Sequence, residues 1–221
     1  MRYLLLLLAV LVCAPASFAQ EKDYSNWEFY GGYAYERAPN GAKRLNPDAA
    51  ITFGTAIAKV NFASERVNYN GFSTEVVGNF NRHLGLVGNF TLTWNGHVGY
   101  FDTLGGGLFD ARVRRWQYFV GPRFNLRNGT RLIPFGEALV GVTRFDAKFR
   151  QAVVSTAKTE NAFSMALGGG LDIRASRHID LRAGQVDYVP IFFKNQREDS
   201  FRVSAGIKVK TAPATDDCPC P

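Results

Sequence analysis

Three histidines are the residues that could act as general acid or base near neutral pH. His83 falls in a predicted tight turn, His97 in a predicted long connection and His178 at the start of a predicted strand. Ser176, two residues before His178, has the position of an ordinary turn residue. No nucleophile and base are brought together by this spacing, so we assign no catalytic residue.

Cys218-Pro219-Cys220, near the end of the chain, is a second pattern with chemical potential. Two thiolates could hold a metal or form an intermolecular disulfide, but two ligands alone do not make a zinc site. We favour a flexible, proline-bearing tail. Gly168-Gly169-Gly170 does not link a strand to a helix, so it predicts no phosphate loop. We therefore expect neither a metal nor a cofactor.

Charged residues recur at alternate positions of segments in which apolar and polar side chains also alternate. A period of two is that of a β-strand with two different faces. The charged residues of the polar faces are Glu28, Glu36, Glu75, Arg115, Arg123, Glu137, Asp172, Asp180, Arg182 and Arg202. Glu137 is included although apolar residues on both sides leave the facing of its strand open.

The clearest alternation lies in residues 70–94. Leu84, Leu86, Phe90, Leu92 and Trp94 share one face of a strand over residues 84–94, and a shorter strand precedes it over residues 72–79. Four residues join the two strands, so they form an antiparallel hairpin.

Related alternation predicts six further strands, at residues 27–37, 113–125, 131–145, 161–173, 178–189 and 200–210. A loss of phase near Gln185 predicts a bulge. Short turns are expected at 80–83, 126–130 and 174–177, and longer connections at 38–69, 95–112, 146–160 and 190–199, with a short strand or helix within 50–62. Short turns at one end and long connections at the other predict an all-β, eight-stranded antiparallel up-and-down transmembrane barrel.

In such a barrel the apolar faces meet lipid and the polar faces meet the lumen. The aromatic residues predicted to form the lipid-facing girdle are Trp27, Tyr33, Tyr35, Phe90, Trp94, Trp116, Tyr118 and Phe201. The ten charged residues would then line an interior just wide enough to be filled by side chains. We favour a network of ion pairs there, with a narrow gated conduit and a catalytic site as alternatives.

Residues 1–19 are typical of a cleavable signal peptide, with Arg2, a short apolar core over residues 4–12 and Ala19 at the cleavage site. Residues 20–210 would form the barrel and residues 211–221 a flexible tail. Cys13 would leave with the signal, so we expect no disulfide in the body of the fold.

Several segments resemble one known family: WEFYGGYAYER, VVGNFNRHLGLVGNF, YFVGPRFN, IPFGEALVGVTR, MALGGGLDIR, RAGQVDYVP and FRVSAGIKV. They resemble the OmpA-like outer-membrane β-barrel domain family of small, porin-like Gram-negative proteins, over nearly the whole mature chain. The resemblance implies an eight-stranded barrel in the bacterial outer membrane, inserted by the barrel-insertion machinery. The last predicted strand, residues 200–210, departs from the family pattern because its final residue is not aromatic.

The resemblance marks an architecture and leaves three functions open. We favour a structural or surface-interaction barrel whose long loops meet an envelope or extracellular partner; the alternatives are a small channel for ions or solutes and a secreted lipocalin-like binder. A lipid-modifying barrel enzyme would place a serine two residues after a histidine, whereas Asp180 follows His178 at that distance. For an exported chain the formal charge of +7 has two explanations: outer-membrane lipid and lipopolysaccharide phosphate as partners, or simple solubility; it does not indicate nucleic acid.

Overall fold

The computed structural model describes residues 24–40, 50–53, 56–62, 66–102, 108–150, 155–193 and 196–211, and these residues form a closed β-barrel. The strands of the described residues are β1 (Trp27–Pro39), β2 (Ala50–Phe53), β3 (Ala56–Phe62), β4 (Arg66–Asn79), β5 (Leu84–Asp102), β6 (Leu108–Asn125), β7 (Leu132–Arg150), β8 (Ser155–Arg174), β9 (Ile179–Phe192) and β10 (Arg197–Lys210). The predicted signal peptide and nearly all of the predicted tail lie outside them.

Eight antiparallel strands close the barrel in the order β1, β4, β5, β6, β7, β8, β9, β10, and β10 pairs with β1. The predicted fold class is therefore confirmed. The remaining two strands form a hairpin, and β3 pairs with the far end of β5 through Val60 and Asp102. Within the described residues no helix is long and apolar enough to cross a membrane.

The predicted short turns lie together at one end of the barrel. In the turn between β6 and β7, Gly129 adopts a φ of 74°, a left-handed conformation that favours glycine. The bulge predicted near Gln185 is present, since β9 shifts register against both neighbours between Arg182 and Gln185. The bulge restores the inward facing of the residues that follow it.

The predictions of long loops at 95–112 and 146–160 were wrong. β5 continues from Trp94 to Asp102, β6 begins at Leu108, β7 continues to Arg150 and β8 begins at Ser155. These strand ends lie beyond the apolar band, so their outward residues can be polar and the alternation disappears while the backbone pairing continues. The connections at 38–69 and 190–199 are also shortened, because β4 begins at Arg66 and β9 includes Pro190.

A continuous band of exposed apolar side chains surrounds the barrel. On β6 the band runs from Leu126 at the short-turn end to Trp116, and Tyr118 between them is 51% exposed. Ten residue steps on a strand tilted by about 40° give a height of about 25 Å, the height of the lipid-facing band of outer-membrane barrels. The exterior thus suits a bilayer, and the polar side chains lie inside.

Candidate functional site

The ten charged residues selected from the sequence all lie among the buried side chains. Glu137, whose facing the sequence left open, also points inward. Of the selected aromatic residues, Trp27, Tyr33, Trp94, Tyr118 and Phe201 are exposed on the outer surface, and Tyr35, Phe90 and Trp116 are partly exposed there. The inward side chains form the strongest candidate for a functional site.

The buried network begins near the short-turn end with Glu28 of β1. The Nη2 of Arg127 donates to its Oε1 at 2.5 Å, and the Nζ of Lys208 lies 2.9 Å from its Oε2. Asn79 donates its amide to the same carboxylate at 2.9 Å. Lys208 also contacts Asp172 of β8. One lysine therefore connects two carboxylates from different strands.

Glu75 of β4 lies at the centre of the network. Its Oε2 accepts from the Nη2 of Arg123 at 2.5 Å and from the Nη1 of Arg182 at 2.8 Å. The Nε of Arg123 also donates to the Oε2 of Glu137 at 2.9 Å. The Nε of Arg182 donates to the Oδ1 of Asp172 at 2.9 Å. Each arginine thus joins two carboxylates, and Glu75 joins the two arginines.

Aromatic rings cover the two central guanidinium groups. The Cζ atoms of Arg123 and Arg182 each lie 4.5 Å from the ring centroid of Phe135, and that of Arg182 lies 4.0 Å from the centroid of Tyr30. A guanidinium over an aromatic face gains electrostatic attraction while it excludes water. These rings help to fill the space around the charges.

Gln185 of β9 extends the network toward the long-loop end. It accepts from Arg182 at 2.5 Å and donates to Glu137 at 2.7 Å and to Asp187 at 2.9 Å. The Nε of Arg202 donates to Asp187 at 2.9 Å. A Cβ at Gly168 would overlap the Oδ1 of Asp187, so the glycine of β8 provides the room for this pair.

Glu36 of β1 is the uppermost carboxylate of the network. It accepts from Ser200 at 2.7 Å, from Gln117 at 3.1 Å and from Thr93 at 3.2 Å. The Nη1 of Arg115 lies 3.2 Å from its Oε1. Gln117 accepts in turn from Arg202 at 3.2 Å, which connects this layer to the layers below.

An apolar layer covers Arg115 on the side of the long loops. Its guanidinium lies 5.1 Å from the ring centroid of Tyr69 and 4.9 Å from that of Phe145. Val113 and Ile191, farther along their strands toward that end, are fully buried. The described residues therefore fill the interior with charge below and apolar side chains above.

The charges of this network balance. Its cations are Arg115, Arg123, Arg127, Arg182, Arg202 and Lys208, and its carboxylates are Glu28, Glu36, Glu75, Glu137, Asp172 and Asp187. Asp180 forms a separate pair with Lys210, 2.5 Å away, at the short-turn end. Pairing lets buried charges avoid the large cost of an isolated ion. Within the described residues Arg115 forms the ion pair with Glu36 but has no hydrogen-bond partner.

Sequence reasoning missed three charged members of this network. Lys208 lies on the same face of β10 as Arg202, six residues away, so strict alternation would have found it. Asp187 follows the bulge, so its inward facing could have been predicted only by shifting the alternation by one residue at Gln185. Arg127 belongs to a turn, where alternation gives no signal.

The histidines show no catalytic arrangement in the part of the chain that the structure describes. The Nδ1 of His83 lies 2.9 Å from the carbonyl oxygen of Asn125, and the ring stacks on Phe124. The Oγ of Ser176 accepts from the backbone N–H groups of His178 and Ile179, at 3.3 Å and 3.0 Å, as in a turn. The described residues contain no histidine, cysteine or carboxylate group of three or more that could hold a metal. The side chain of His97 and both tail cysteines lie outside the described residues.

Solved structures with this fold are outer-membrane barrels. Ail, the attachment invasion locus protein of Yersinia pestis, is 18% identical over 84% of this chain and 99% of its own, with a TM-score of 0.51. Neisserial surface protein A is 12% identical over 85% and 98%, with a TM-score of 0.55, and the outer membrane protein OprG of Pseudomonas aeruginosa is 10% identical over 86% and 98%, with a TM-score of 0.52. No protein-family model and no curated protein matches the chain. At these identities the similarity shows the fold alone.

Proposed function

We propose that this chain is an outer-membrane β-barrel of the OmpA-like type that acts through its surface, with an interior closed by ion pairs. Residues 1–19 would direct export, and the barrel-insertion machinery would place the barrel in the membrane. The apolar outer band of about 25 Å supports this location.

The buried network is the observation that best supports a closed interior. All eight barrel strands contribute to it, and it extends without interruption from Arg127 to Arg115. Removing one partner of a buried ion pair costs about 3 to 5 kcal/mol. A conduit would have to separate pairs in several layers at once, so we expect the closed state to dominate.

The long-loop end is the surface that we propose for interaction. β5, β6, β7 and β8 extend about eight residues beyond the apolar band, roughly 26 Å along each strand. Exposed basic side chains lie at this end, among them Arg37, Arg66 and Arg197 on the adjacent strands β1, β4 and β10. Ail has been solved with the heparin analogue sucrose octasulfate. We propose an anionic polysaccharide as the partner of this basic surface.

A small channel is the second candidate, and the sharing of Glu75 favours it. Because Arg123 and Arg182 both contact this carboxylate, each could exchange partners without leaving a charge alone. Such an exchange could open a path for ions.

Conductance in planar bilayers separates the two candidates. The purified barrel should give no steady single-channel current. A double variant, Arg123→Ser with Arg182→Ser, removes the two central cations and should conduct, which shows that the assay detects an open lumen. Steady current from the unmodified barrel would refute the closed interior and support the channel.

Retention on a sulfated-polysaccharide column tests the surface. The triple variant Arg37→Gln, Arg66→Gln, Arg197→Gln should elute at lower salt than the unmodified protein. A control with the same loss of charge at the short-turn end, Arg131→Gln, Arg174→Gln, Arg177→Gln, should elute like the unmodified protein. Equal shifts for both variants would mean that net charge alone causes the retention.

A further inference from the structure

The outer wall formed by β4, β5, β6 and β7 carries an apolar groove of about 390 Å³. It lies within the lipid-facing band, outside the buried network. Its principal side chains are Val76, Phe90, Tyr118, Val120, Val140 and Val142. Four strands give it a width of roughly 14 Å, broader than one hydrocarbon chain.

Gly88 of β5 lines the groove and leaves space in it. Its cross-strand neighbours are Val76 and Val120, which are 43% and 49% exposed. A Cβ at Gly88 would meet no atom within 4 Å. Packing inside the barrel therefore does not require glycine here, and a larger side chain would fill the groove without displacing the sheet.

Two arginines lie above the groove, at the edge of the apolar band. Arg144 follows Val142 on the outward face of β7, and Arg114 of β6 is its diagonal neighbour and is exposed. The Nε of Arg144 donates to Asp146 at 3.2 Å, but the Arg144 side chain remains 52% exposed. Asp146 also accepts from Thr159 at 2.8 Å. Asp146 is also the direct cross-strand partner of Arg114, so one carboxylate lies beside both arginines, and the two exposed guanidinium groups keep one net positive charge for an anion.

The separation of these two features fits within one leaflet. Arg114 pairs with Trp94, six residues along β5 from Gly88. Six steps on a strand tilted by about 40° correspond to a depth of about 15 Å. Gly88 pairs with Val120, four steps along β6 from Trp116 at the upper edge of the apolar band, so it lies about 10 Å below that edge, in the outer half of the band of about 25 Å. An acyl chain whose headgroup lies at Arg114 would therefore reach Gly88 within the outer leaflet.

We propose that this wall is a binding site for a phosphorylated, multiply acylated glycolipid of the outer leaflet. The acyl chains lie in the groove on Gly88, and a phosphate lies between Arg114 and Arg144. The basic residues above an apolar groove provide the charge complementarity, and the width of four strands accommodates more than one chain. The inference rests on the proposed outer-membrane location, with the long loops on the outer side.

Lipid retention tests this site. The folded barrel is incorporated into nanodiscs containing lipid A and phosphatidylglycerol in equal amounts, extracted into mild detergent and analysed by native mass spectrometry. We expect one retained lipid A per barrel. Gly88→Leu, which fills the groove, and the pair Arg114→Gln with Arg144→Gln should each lower the retained fraction about tenfold.

Gly136→Leu is the matched control, because Gly136 also faces outward and a Cβ there would meet only the carbonyl oxygen of Gly168, at 3.8 Å. It should retain lipid A like the unmodified protein. Equal retention by all variants, equal retention of phosphatidylglycerol, or a dimer that Gly88→Leu abolishes would each overturn the proposal. Heat-modifiable migration of every variant is measured in parallel; if the unmodified chain lacked it, the proposed barrel in the membrane would fail instead.

Discussion

The Nη2 of Arg123 lies 2.5 Å from the Oε2 of Glu75, although 48 residues separate them and β5 lies between their strands. The pair therefore connects strands that share no backbone hydrogen bonds. Contacts of this kind make the interior a structural element in its own right, in addition to the ladder that closes the barrel.

Glu75→Ala should destabilise the barrel by about 3 to 5 kcal/mol, because Arg123 and Arg182 lose the carboxylate that they share. Urea unfolding in detergent micelles, followed by heat-modifiable migration, measures the change. Thr74→Ala is the control on the same strand; Thr74 faces outward, so its replacement should change the free energy of unfolding by less than about 0.5 kcal/mol. An unchanged midpoint for Glu75→Ala would contradict the central position of this residue.

Lys208→Met should also destabilise the barrel strongly, because Glu28 and Asp172 are left without the cation that joins them. Lys210→Met removes a lysine that contacts only Asp180 among the described carboxylates and is 10% exposed, so its effect should be smaller. The same urea titration compares the two variants. Equal losses would show that Lys208 has no special role as a bridge.

Ala138→Arg tests the lipid-facing surface near the middle of the band on β7. An arginine on the lipid face costs about 2 to 4 kcal/mol at the bilayer midplane and about 0 to 1 kcal/mol near the interface. Ala157→Arg, an exposed position beyond the band on β8, should therefore be tolerated. Unfolding from lipid vesicles measures both variants. A protein indifferent to Ala138→Arg would fit a barrel in water, such as a lipocalin-like binder.

The surroundings of Asp199, at the long-loop end above the apolar band, predict that the stability of the folded barrel depends on pH. A hydrogen bond from the hydroxyl of Tyr188, together with Arg197, lowers the pKa of Asp199. A lowered pKa stabilises the folded state above the pKa of the unfolded chain, about 3.9, and this stabilisation disappears as the pH falls through the folded pKa. Asp199→Asn should therefore lower the melting temperature at pH near 7, by the equivalent of at most about 1 kcal/mol. The difference should shrink as the pH falls below about 3.9; a difference that is the same at low pH as near pH 7 would show that charge is not its cause.

Inside the apolar band the sequence predicted the facing of the strands because lipid and lumen demand opposite side chains. Phe201 and Arg202 illustrate this contrast on neighbouring positions of β10. Outside the band the outward face meets water, so Arg112, Arg114 and Lys148 stand where the pattern required outward apolar residues, and β5, β6, β7 and β8 were predicted too short.

The pairing within the network could not be read from the sequence. Arg182 and Glu75 are 107 residues apart and meet only because the barrel closes. Gly88 gave no signal either, since its role depends on the side chains of the two neighbouring strands. Alternation thus identifies which residues point inward, and the closed sheet determines which of them meet.

The central claim is that this chain forms a membrane barrel with a closed interior. Labelling of two adjacent positions on β7 tests it most directly. Single cysteines are introduced as Val142→Cys, which faces outward, and Thr143→Cys, which is buried in the interior, with Cys218 and Cys220 replaced by serine. In lipid vesicles, a fluorophore at position 142 should be quenched by nitroxide lipids, and the cysteine at position 143 should resist a water-soluble thiosulfonate. Rapid modification at position 143 would contradict the closed interior, and a position 142 that reacts from water and escapes lipid quenching would contradict the membrane barrel.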